Sequence, residues 1–438
     1  MMKHLSRAIL ASFTATIMLF VGACGSGGSK QSESDQHLTI SWWGNQERNE
    51  RTKKINDMFM KENKGVKIDG QFSEFSDYYQ KLSVGAAGKT MPDIMQIDLN
   101  HFAQFEKNGL LLDLQKYEDS KVIDLSNVEK DIVKQGKLDG GMYNVTAATN
   151  APALVYNKTL LDKLGITIPK NMNIKQFEDI SRQVQQKSGY KTNFRYYEPS
   201  DQLAYMLRAK GEVLYNEHKL GVKSASELEP YFQVYADGIK EGWHLDPQVF
   251  TELKVASVEQ DPLVYGTDPS RMSWCSFRWS SQYVAYTAIA PKGVELAMTS
   301  WPSDNVKKSN YLKPSLSWTI SKTCKNPDLA AKWINFYVNN VEANKVLLTD
   351  RGVPISSKVL EAIKPSLTQP DQYSIDFIQK EITPNSSPIN PPAPAGASEV
   401  DSKVLPSVEE ELCYQKISVK EAAQRFFDQA NQALSTAR

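Results

Sequence analysis

Near the start of the chain, short segments with the residue pattern of a β-strand alternate with segments whose apolar residues have the spacing of a helix face. Residues 37–43 form a short β-rich run, and residues 46–63 place Ile55, Met58 and Phe59 on one face of a helix. The alternation continues with predicted strands at 66–72 and 92–97 and predicted helices at 77–88 and 102–109. Strands separated by such helices pair in parallel, and ligands bind at their carboxyl ends. The turns at 43–45, 75–77 and 98–100 are therefore expected to line one cleft.

The spacing changes further along the chain. Residues 149–156 lead from a polar pair into the apolar segment APALVY, which is typical of a strand that crosses between two domains. Aromatic residues are dense over 262–301, and a proline-rich segment without a regular pattern covers 383–397. Elsewhere the pattern predicts a strand at 316–320 and helices at 174–187, 201–210, 226–241, 329–340 and 418–434.

The first residues predict export. Residues 1–23 combine Lys3 and Arg7 with an apolar run too short to span a bilayer, as in a signal peptide. Small residues precede Cys24, as in bacterial lipoproteins, in which the new terminal cysteine carries lipid, including palmitate; a general signal with an incidental cysteine is the alternative. Residues 24–36 would then be the lipidated cysteine and a Gly/Ser-rich tether. The expected location is the outer face of the cell membrane.

Composition and motifs narrow the function. The 438 residues suffice for two or three domains. The 51 basic and 51 acidic residues balance, so the chain lacks the excess of positive charge that binds nucleic acid. The five histidines and the three cysteines after Cys24 lack metal-binding spacing, and at most one disulfide can form. No cofactor is predicted. Nucleophile-elbow, zinc, phosphate-loop and dinucleotide motifs are missing, so no enzyme is expected. The alternatives are a glycosidase that uses two carboxylates, a lyase that uses a base beside a carboxylate-neutralising cation, and an adhesion protein.

Several segments occur together and in order. They are LTISWWGNQ at 38–46, PDIMQIDLNHFAQFEKNGLLLDL at 92–114, APALVYNKTLL at 151–161, SWTISKTCKNPDLAAKWINFYV at 317–338 and RGVP at 351–354. The chain thereby resembles the family 1 solute-binding lipoproteins of bacterial carbohydrate ABC importers over nearly its whole mature length. SWWGNQ, LKPSLSWTISK and PPAPAGASEV are also similar to the subgroup that captures pectin and rhamnogalacturonan fragments.

The resemblance implies a fold and a role. The fold is α/β and two-lobed, a type II periplasmic-binding-protein-like fold with mixed sheets flanked by helices and a ligand cleft that closes by hinge motion. We expect lobe 1 to comprise 37–148 and 302–324, and lobe 2 to comprise 149–301 and 325–438. The protein would act as a monomer that delivers an oligosaccharide to the permease subunits.

The resemblance also implies a binding site. A pyranose has an apolar face and a rim of hydroxyls, so aromatic rings and short polar side chains suit it. By motif, Asn45, Asp98 and Asn150 supply polar groups, and Trp279 occupies the place of a sugar-stacking ring. Core packing is the alternative for each tryptophan, and helix capping is the alternative for Asp98. The full candidate set is Trp43, Asn45, Gln46, Phe75, Asp98, Asn100, Asn150, Arg278, Trp279, Trp318 and Arg351.

The charge of the sugar is a separate question. A uronate ligand needs a cation, and arginine offers a two-pronged hydrogen bond to a carboxylate. Arg278 is the first candidate, followed by Arg351 and Arg195, while a structural salt bridge is the alternative for each. A uronate-containing pectin fragment is the expected ligand, and a neutral oligosaccharide is the alternative.

Overall fold

Two β-sheets divide the chain into two lobes in the computed structural model, which describes residues 36–252 and 257–436. The predicted signal peptide, Cys24 and the tether up to residue 35 lie outside the described residues. With strands numbered in chain order, the lobe 1 sheet consists of β13 (Val353–Pro354), β6 (Val145–Asn150), β12 (Lys313–Ile320), β3 (Ile94–Ile97), β1 (His37–Trp43) and β2 (Lys67–Ser73), in that spatial order. The lobe 2 sheet consists of β10 (Cys275–Trp279), β7 (Pro152–Asn157) and β11 (Leu296–Thr299). Two ribbons complete the strands: β4 (Lys137–Leu138) with β5 (Gly141–Met142), and β8 (Tyr215–Asn216) with β9 (Lys219–Leu220).

The start of lobe 1 confirms the predicted alternation of strands and helices. β1 pairs in parallel with both β2 and β3, so the carboxyl ends of the three strands share one edge of the sheet. Each strand is followed closely by a helix: α1 (Gln46–Glu62), α2 (Phe75–Gly88) and α3 (Leu99–Lys107). β12 runs antiparallel to β3 and β6, so the sheet is mixed, as expected.

The chain crosses between the lobes in adjacent places. β6 of the first sheet continues through Ala151 into β7 of the second, which confirms the predicted crossing strand. A second connection, residues 300–312, leads from β11 back to β12, where Lys313 pairs with Asn150. Gly352 makes a close approach here: its φ is 109°, and a Cβ would lie 2.6 Å from the Thr149 carbonyl oxygen. The RGVP segment therefore packs against the crossing strand, where only glycine fits.

The hydrophobic cores correct the predicted lobe limits. Trp333 and Leu347 belong to the same core as Leu38 and Ile94 of the lobe 1 sheet. They lie on α13 (Pro327–Asn339) and α14 (Val341–Leu347), so the prediction that residues 325–438 all belong to lobe 2 is wrong for these helices. The short connection after β12 returns α13 onto the sheet that it has just left. The other lobe 1 helices are α4 (Gln115–Asp119) and α5 (Lys130–Lys134).

Lobe 2 is the more helical lobe, as the middle of the sequence predicts. Its main core joins Phe177, Tyr235 and Trp274 to Phe426 near the end of the chain. The remaining helices are α6 (Lys158–Leu164), α7 (Ile174–Ser188), α8 (Pro199–Arg208), α9 (Glu229–Glu241), α10 (Pro247–Glu252), α11 (Gln282–Ile289), α12 (Val306–Ser309), α15 (Ser357–Ile363), α16 (Gln369–Asp376), α17 (Ala397–Glu399), α18 (Leu405–Cys413) and α19 (Val419–Thr436).

Two further observations concern thiols and the membrane. Cys275, Cys324 and Cys413 are free thiols, and Cys275 and Cys413 are buried. Over residues 36–252 and 257–436, no helix is both long enough and apolar enough to cross a membrane.

Candidate functional site

Aromatic side chains form a wall at the strand-end edge of lobe 1. Trp43, the last residue of β1, contacts Phe75 and Tyr79, with ring centroids 5.6 and 6.0 Å away. Tyr79 in turn stacks on His101 with centroids 3.5 Å apart and planes 5° from parallel. The Tyr79 hydroxyl accepts a 2.8 Å hydrogen bond from the backbone N–H of Asp98. The turns after β1, β2 and β3 thus meet in one wall.

Asp98 caps α3 with one oxygen and keeps the other unpaired. Its Oδ1 accepts from the backbone N–H of His101 at 2.9 Å and lies 2.8 Å from His101 Nδ1. Its Oδ2 is buried and has no hydrogen-bond partner in the described part of the chain. Burial alone would lower the pKa of His101, but the Asp98 carboxylate raises it overall. Burial would raise the pKa of Asp98, but His101 lowers it overall, so this pair favours its charged forms.

Lobe 2 presents Trp279 and two carboxylates to the same region. Trp279 ends β10, and its Nε1 donates to Glu198 Oε2 at 2.9 Å. The hydroxyl of Tyr196 donates to the same oxygen at 3.0 Å, so Glu198 fixes the edge of the indole. Asp201 lies one turn further along, in the first turn of α8, which Pro199 begins.

Lys313 joins these groups from the crossing strand. Its Nζ lies 3.9 Å from the centroid of the Trp279 ring and 3.3 Å from Asp201 Oδ2. Burial alone would lower the pKa of Lys313, but Asp201, Glu198 and Asp98 raise it overall, so the ammonium stays charged. Burial, opposed by Lys313, raises the pKa of Asp201 to about 6.

A crevice of roughly 600 Å³, partly open to solvent, lies between the lobes at this point. Leu99 and Asn100 line it from lobe 1, and Asp201, Lys313 and Asp401 lie opposite. Burial, with Glu198 and Asp201 adding to it, raises the pKa of Asp401 to about 8. Where the chain is described, no three His, Cys, Asp or Glu side chains are grouped as a metal ion requires.

The proline-rich segment forms another wall of the crevice. Ile389, Pro391 and Ala393 line it, and Arg208 at the end of α8 holds the segment by donating to the Pro388 carbonyl at 2.9 Å and to Ser387 Oγ at 2.5 Å. The following helix, α17, packs against α3 of lobe 1. The two lobes therefore contact each other at α3, the helix that Asp98 caps.

The sequence and the fold have known counterparts. Residues 44–211 match the family described as bacterial extracellular solute-binding protein. An extracellular solute-binding protein family 1 from Alicyclobacillus acidocaldarius subsp. acidocaldarius is 28% identical, with a TM-score of 0.69, over 91% of this chain and 98% of that chain. The chain is therefore similar to extracellular solute-binding proteins in sequence over residues 44–211 and in its fold.

Two other solved structures share the fold of this chain. One is a periplasmic oligogalacturonide binding protein from Yersinia enterocolitica in complex with saturated digalacturonic acid, at 20% identity and a TM-score of 0.76, covering 91% of this chain and 98% of that one. The other is an ABC substrate-binding protein from Listeria monocytogenes in complex with cycloalternan, at 17% identity and a TM-score of 0.71, covering 90% and 98%.

Some of the predicted site residues lie together. Asp98, Asn100 and Trp279 surround the crevice or contact residues that line it, and Asn150 pairs with Lys313 between β6 and β12. The Asn150 Oδ1 is buried without a hydrogen-bond partner among residues 36–252 and 257–436. Trp43 and Phe75 belong to the aromatic wall. These placements are compatible with a binding role, which stays a prediction.

Two predicted residues lie on the surface at the start of α1. Asn45 is exposed and caps the helix by accepting from the backbone N–H of Arg48 at 3.0 Å. Gln46 is exposed as well and donates to Glu50 at 2.6 Å. Neither lines the crevice.

Arg278, Arg351 and Trp318, which the sequence predicts as ligand contacts, are buried away from the crevice. Arg278 is 1% exposed and pairs with Asp261 and the Tyr286 hydroxyl inside lobe 2. Arg351 is 3% exposed and donates to the Trp43 carbonyl at 2.8 Å, beneath the aromatic wall. Trp318 is fully buried, 4.7 Å from Trp333 between ring centroids. Arg278 is thus held in an ion pair and Trp318 in the core, as the structural alternatives predict, whereas Arg351 is held by hydrogen bonds to the Trp43 carbonyl and to Thr52.

Sequence reasoning missed several groups at the crevice. They are Tyr79, His101, Glu198, Asp201, Lys313 and Asp401. Two signals were available: Glu198-Pro199-Ser200-Asp201 is a helix start, where acidic side chains are favoured, and Lys313 lies within the LKPSLSW segment. His101 carries no signal, because its role depends on stacking against Tyr79 from another helix.

Proposed function

We propose that this protein is the binding component of an ABC importer, which captures an oligosaccharide between its lobes and delivers it to the permease. The observation that carries the proposal is the convergence of Asn100 of lobe 1 with Asp201 and Lys313 on one crevice, where Asp98 also acts electrostatically on Lys313. Carboxylate and amide oxygens accept hydrogen bonds from sugar hydroxyls, and the neighbouring aromatic wall offers apolar surface to a sugar ring.

The positions of the chain crossings support capture by closure. The β6–β7 connection and residues 300–312 lie side by side, as Lys313 and Asn150 demonstrate by pairing. Rotation about such connections opens and closes a cleft without disturbing the cores. Closure brings Asp98 and Asn100 toward Asp201 and Asp401, so a ligand can bridge the lobes through its hydroxyls.

The charges of the crevice favour a neutral sugar next to α3 and α8. Asp98, Glu198 and Asp201 face three cations, Lys313, His101 and Arg208, while Asp401, whose pKa is raised to about 8, is mostly protonated at neutral pH. Arg278 is held by Asp261 away from the crevice. These charges already balance, so a ligand carboxylate at this point would leave an unpaired negative charge. A uronate-containing pectin or rhamnogalacturonan fragment is the second candidate, because the sequence is similar to the subgroup that captures such fragments and the fold is similar to that of the oligogalacturonide binding protein.

The test is a ligand titration of residues 25–438 followed by tryptophan fluorescence and melting temperature. The panel contains digalacturonic acid, unsaturated rhamnogalacturonan disaccharide, and malto-, cello- and xylo-oligosaccharides. A bound ligand stabilises the protein by RT ln(1 + [L]/Kd), so a true ligand gives a concentration-dependent shift. A shift of fluorescence and melting temperature with neutral sugars supports the first candidate, and a shift with uronates alone supports the second. The absence of a shift with every sugar tested contradicts sugar capture.

Two variants from the predicted site make the test specific to the crevice. Asn100→Ala removes an amide that lines the crevice and should weaken binding about fivefold to tenfold, the value of one hydrogen bond. Gln46→Ala changes an exposed side chain outside it and should leave affinity unchanged. Equal effects of the two substitutions would place the ligand elsewhere.

The finer features of the role are part of this proposal. Lipid on Cys24 would hold the protein at the outer face of the membrane as a monomer beside its permease, and the ligand would be released unchanged. Chromatography of the sugars after long incubation tests the last point, because any cleavage product would indicate catalysis. Gel filtration of residues 25–438 tests the monomer.

A further inference from the structure

We infer that Lys313 is a specificity-determining residue of the sugar site, and that Trp279 supports its ammonium rather than stacking on the ligand. The inference deepens the proposed function and rests on it. Its basis is the position of Lys313 Nζ, which lies 3.9 Å from the centre of the Trp279 ring while Lys313 lines the crevice.

The ammonium of Lys313 occupies the place where a sugar would stack. Trp279 is only 5% exposed, because Trp301 lies 5.7 Å from it between ring centroids and Lys313 covers its face. The indole N–H is also engaged, with Glu198. A sugar can therefore reach the Trp279 face only by displacing Lys313.

The surrounding charges prevent that displacement. Asp201 lies 3.3 Å from Lys313 Nζ, and Glu198 and Asp98 also act on it electrostatically. Moving the ammonium away would leave these largely buried carboxylates without their shared cation, which is strongly destabilising. Sugar stacking on one ring is a weaker interaction, so Lys313 stays in place when the ligand binds.

A fixed ammonium retains a donor for the ligand. The lysine ammonium carries three N–H bonds. One donates to Asp201 and another faces the Trp279 ring. The third is left to donate to a ligand oxygen in the crevice. Since the charge of Lys313 is already balanced by carboxylates, its partner is a neutral hydroxyl or ring oxygen. Lys313 thereby selects sugars that place an acceptor at this point.

The test is calorimetry of wild type and Lys313→Met with digalacturonic acid and with malto-, cello- and xylo-oligosaccharides. We expect Lys313→Met to weaken binding of the sugar that wild type accepts by about tenfold or more, the effect of losing a charged donor. Lys313→Arg, which keeps charge and donor, should recover part of the affinity. Lys240→Met, at an exposed lysine on α9, is the matched control and should change nothing.

A double variant distinguishes a purely structural role of Lys313 from a role in ligand binding. Lys313→Met with Asp201→Asn removes one charge of each sign, so the melting temperature of the ligand-free protein should return toward that of wild type. Affinity should stay below that of Asp201→Asn alone, because the donor is still missing. Recovery of affinity together with stability would mean that Lys313 is only structural, and would overturn the inference.

The failure of the inference can be told from the failure of the proposed function. If wild type binds none of the sugars, the proposed function falls and the inference falls with it. If wild type binds a sugar and Lys313→Met binds it within twofold, sugar capture stands and the role of Lys313 is refuted.

Discussion

Replacing Arg278 by methionine should destabilise the ligand-free protein by about 3 to 5 kcal/mol, the usual cost of removing one partner of a buried ion pair. Arg278 lies within lobe 2, where its guanidinium pairs with Asp261 and lies 5.4 Å from the centre of the Tyr197 ring. Asp261 also accepts from Ser276 at 2.7 Å and is itself buried. Methionine fills much of the volume but leaves this carboxylate without its cation.

The expected change is large enough for thermal melting. At about 2 °C per kcal/mol for a domain of this size, the melting temperature should fall by roughly 6 to 10 °C. Arg271→Met is the matched control, since Arg271 pairs with Glu252 on the surface and should cost less than about 1 kcal/mol. Asp261→Asn combined with Arg278→Met should recover much of the loss, because no unpaired charge is then buried.

One result would refute this reasoning. If Arg278→Met has the melting temperature of wild type and loses only its affinity for digalacturonic acid, the guanidinium faces a ligand and the uronate prediction from the sequence was right. A fall in stability with no change in affinity for neutral sugars would agree with the structure.

Three further predictions concern other parts of the protein. Trp318→Ala should lower the free energy of unfolding by about 3 to 5 kcal/mol in urea denaturation, because Trp318 lies in the lobe 1 core, and unchanged stability would contradict that placement. The pKa of Asp401 is raised to about 8, so its ionisation costs the folded protein stability as the pH rises from about 4, the usual pKa of aspartate, through 8. The melting temperature of Asp401→Asn should therefore increase relative to that of wild type as the pH rises from 5 to 9. A difference in melting temperature that does not change with pH would argue against a raised pKa of Asp401. Cys24→Ser should release the protein from cells and abolish labelling with palmitate; persistent labelling would exclude Cys24 as the anchor.

The order of strands and helices could be predicted from the sequence because it depends on the spacing of apolar residues that are close together in the chain. The β1–α1–β2 repeat and the crossing strand at 149–156 each follow from residues close together in the chain. The lobe limit at residue 324 was wrong for a non-local reason: whether α13 returns to the sheet it has left depends on packing of Trp333 against Trp318. Helical spacing identifies the apolar face of α13 but not the sheet that receives it.

The candidate site was less predictable, because its side chains depend on partners distant in sequence. Arg278 and Lys313 look alike as cations beside aromatic motifs. Asp261 holds Arg278 inside lobe 2, whereas Asp201 and Trp279 hold Lys313 at the crevice. Asp98 illustrates the same limit, since one oxygen caps α3, as the structural alternative predicts, and the other stays unpaired at the crevice.

The electrostatics of the crevice connect ligand binding to closure. Asp98 lies on lobe 1, and Glu198, Asp201 and Asp401 lie on lobe 2, so closing the lobes brings like charges together; Asp98 accordingly contributes to raising the pKa of Asp201. Lys313, His101 and Arg208 offset much of this repulsion, and Asp401, whose pKa is raised to about 8, is mostly protonated at neutral pH. A sugar that donates hydroxyl hydrogens to these oxygens lowers the cost of closure without adding charge. The closed state is therefore favoured most by a ligand rich in hydroxyl donors at this point, which is the property that an oligosaccharide receptor requires.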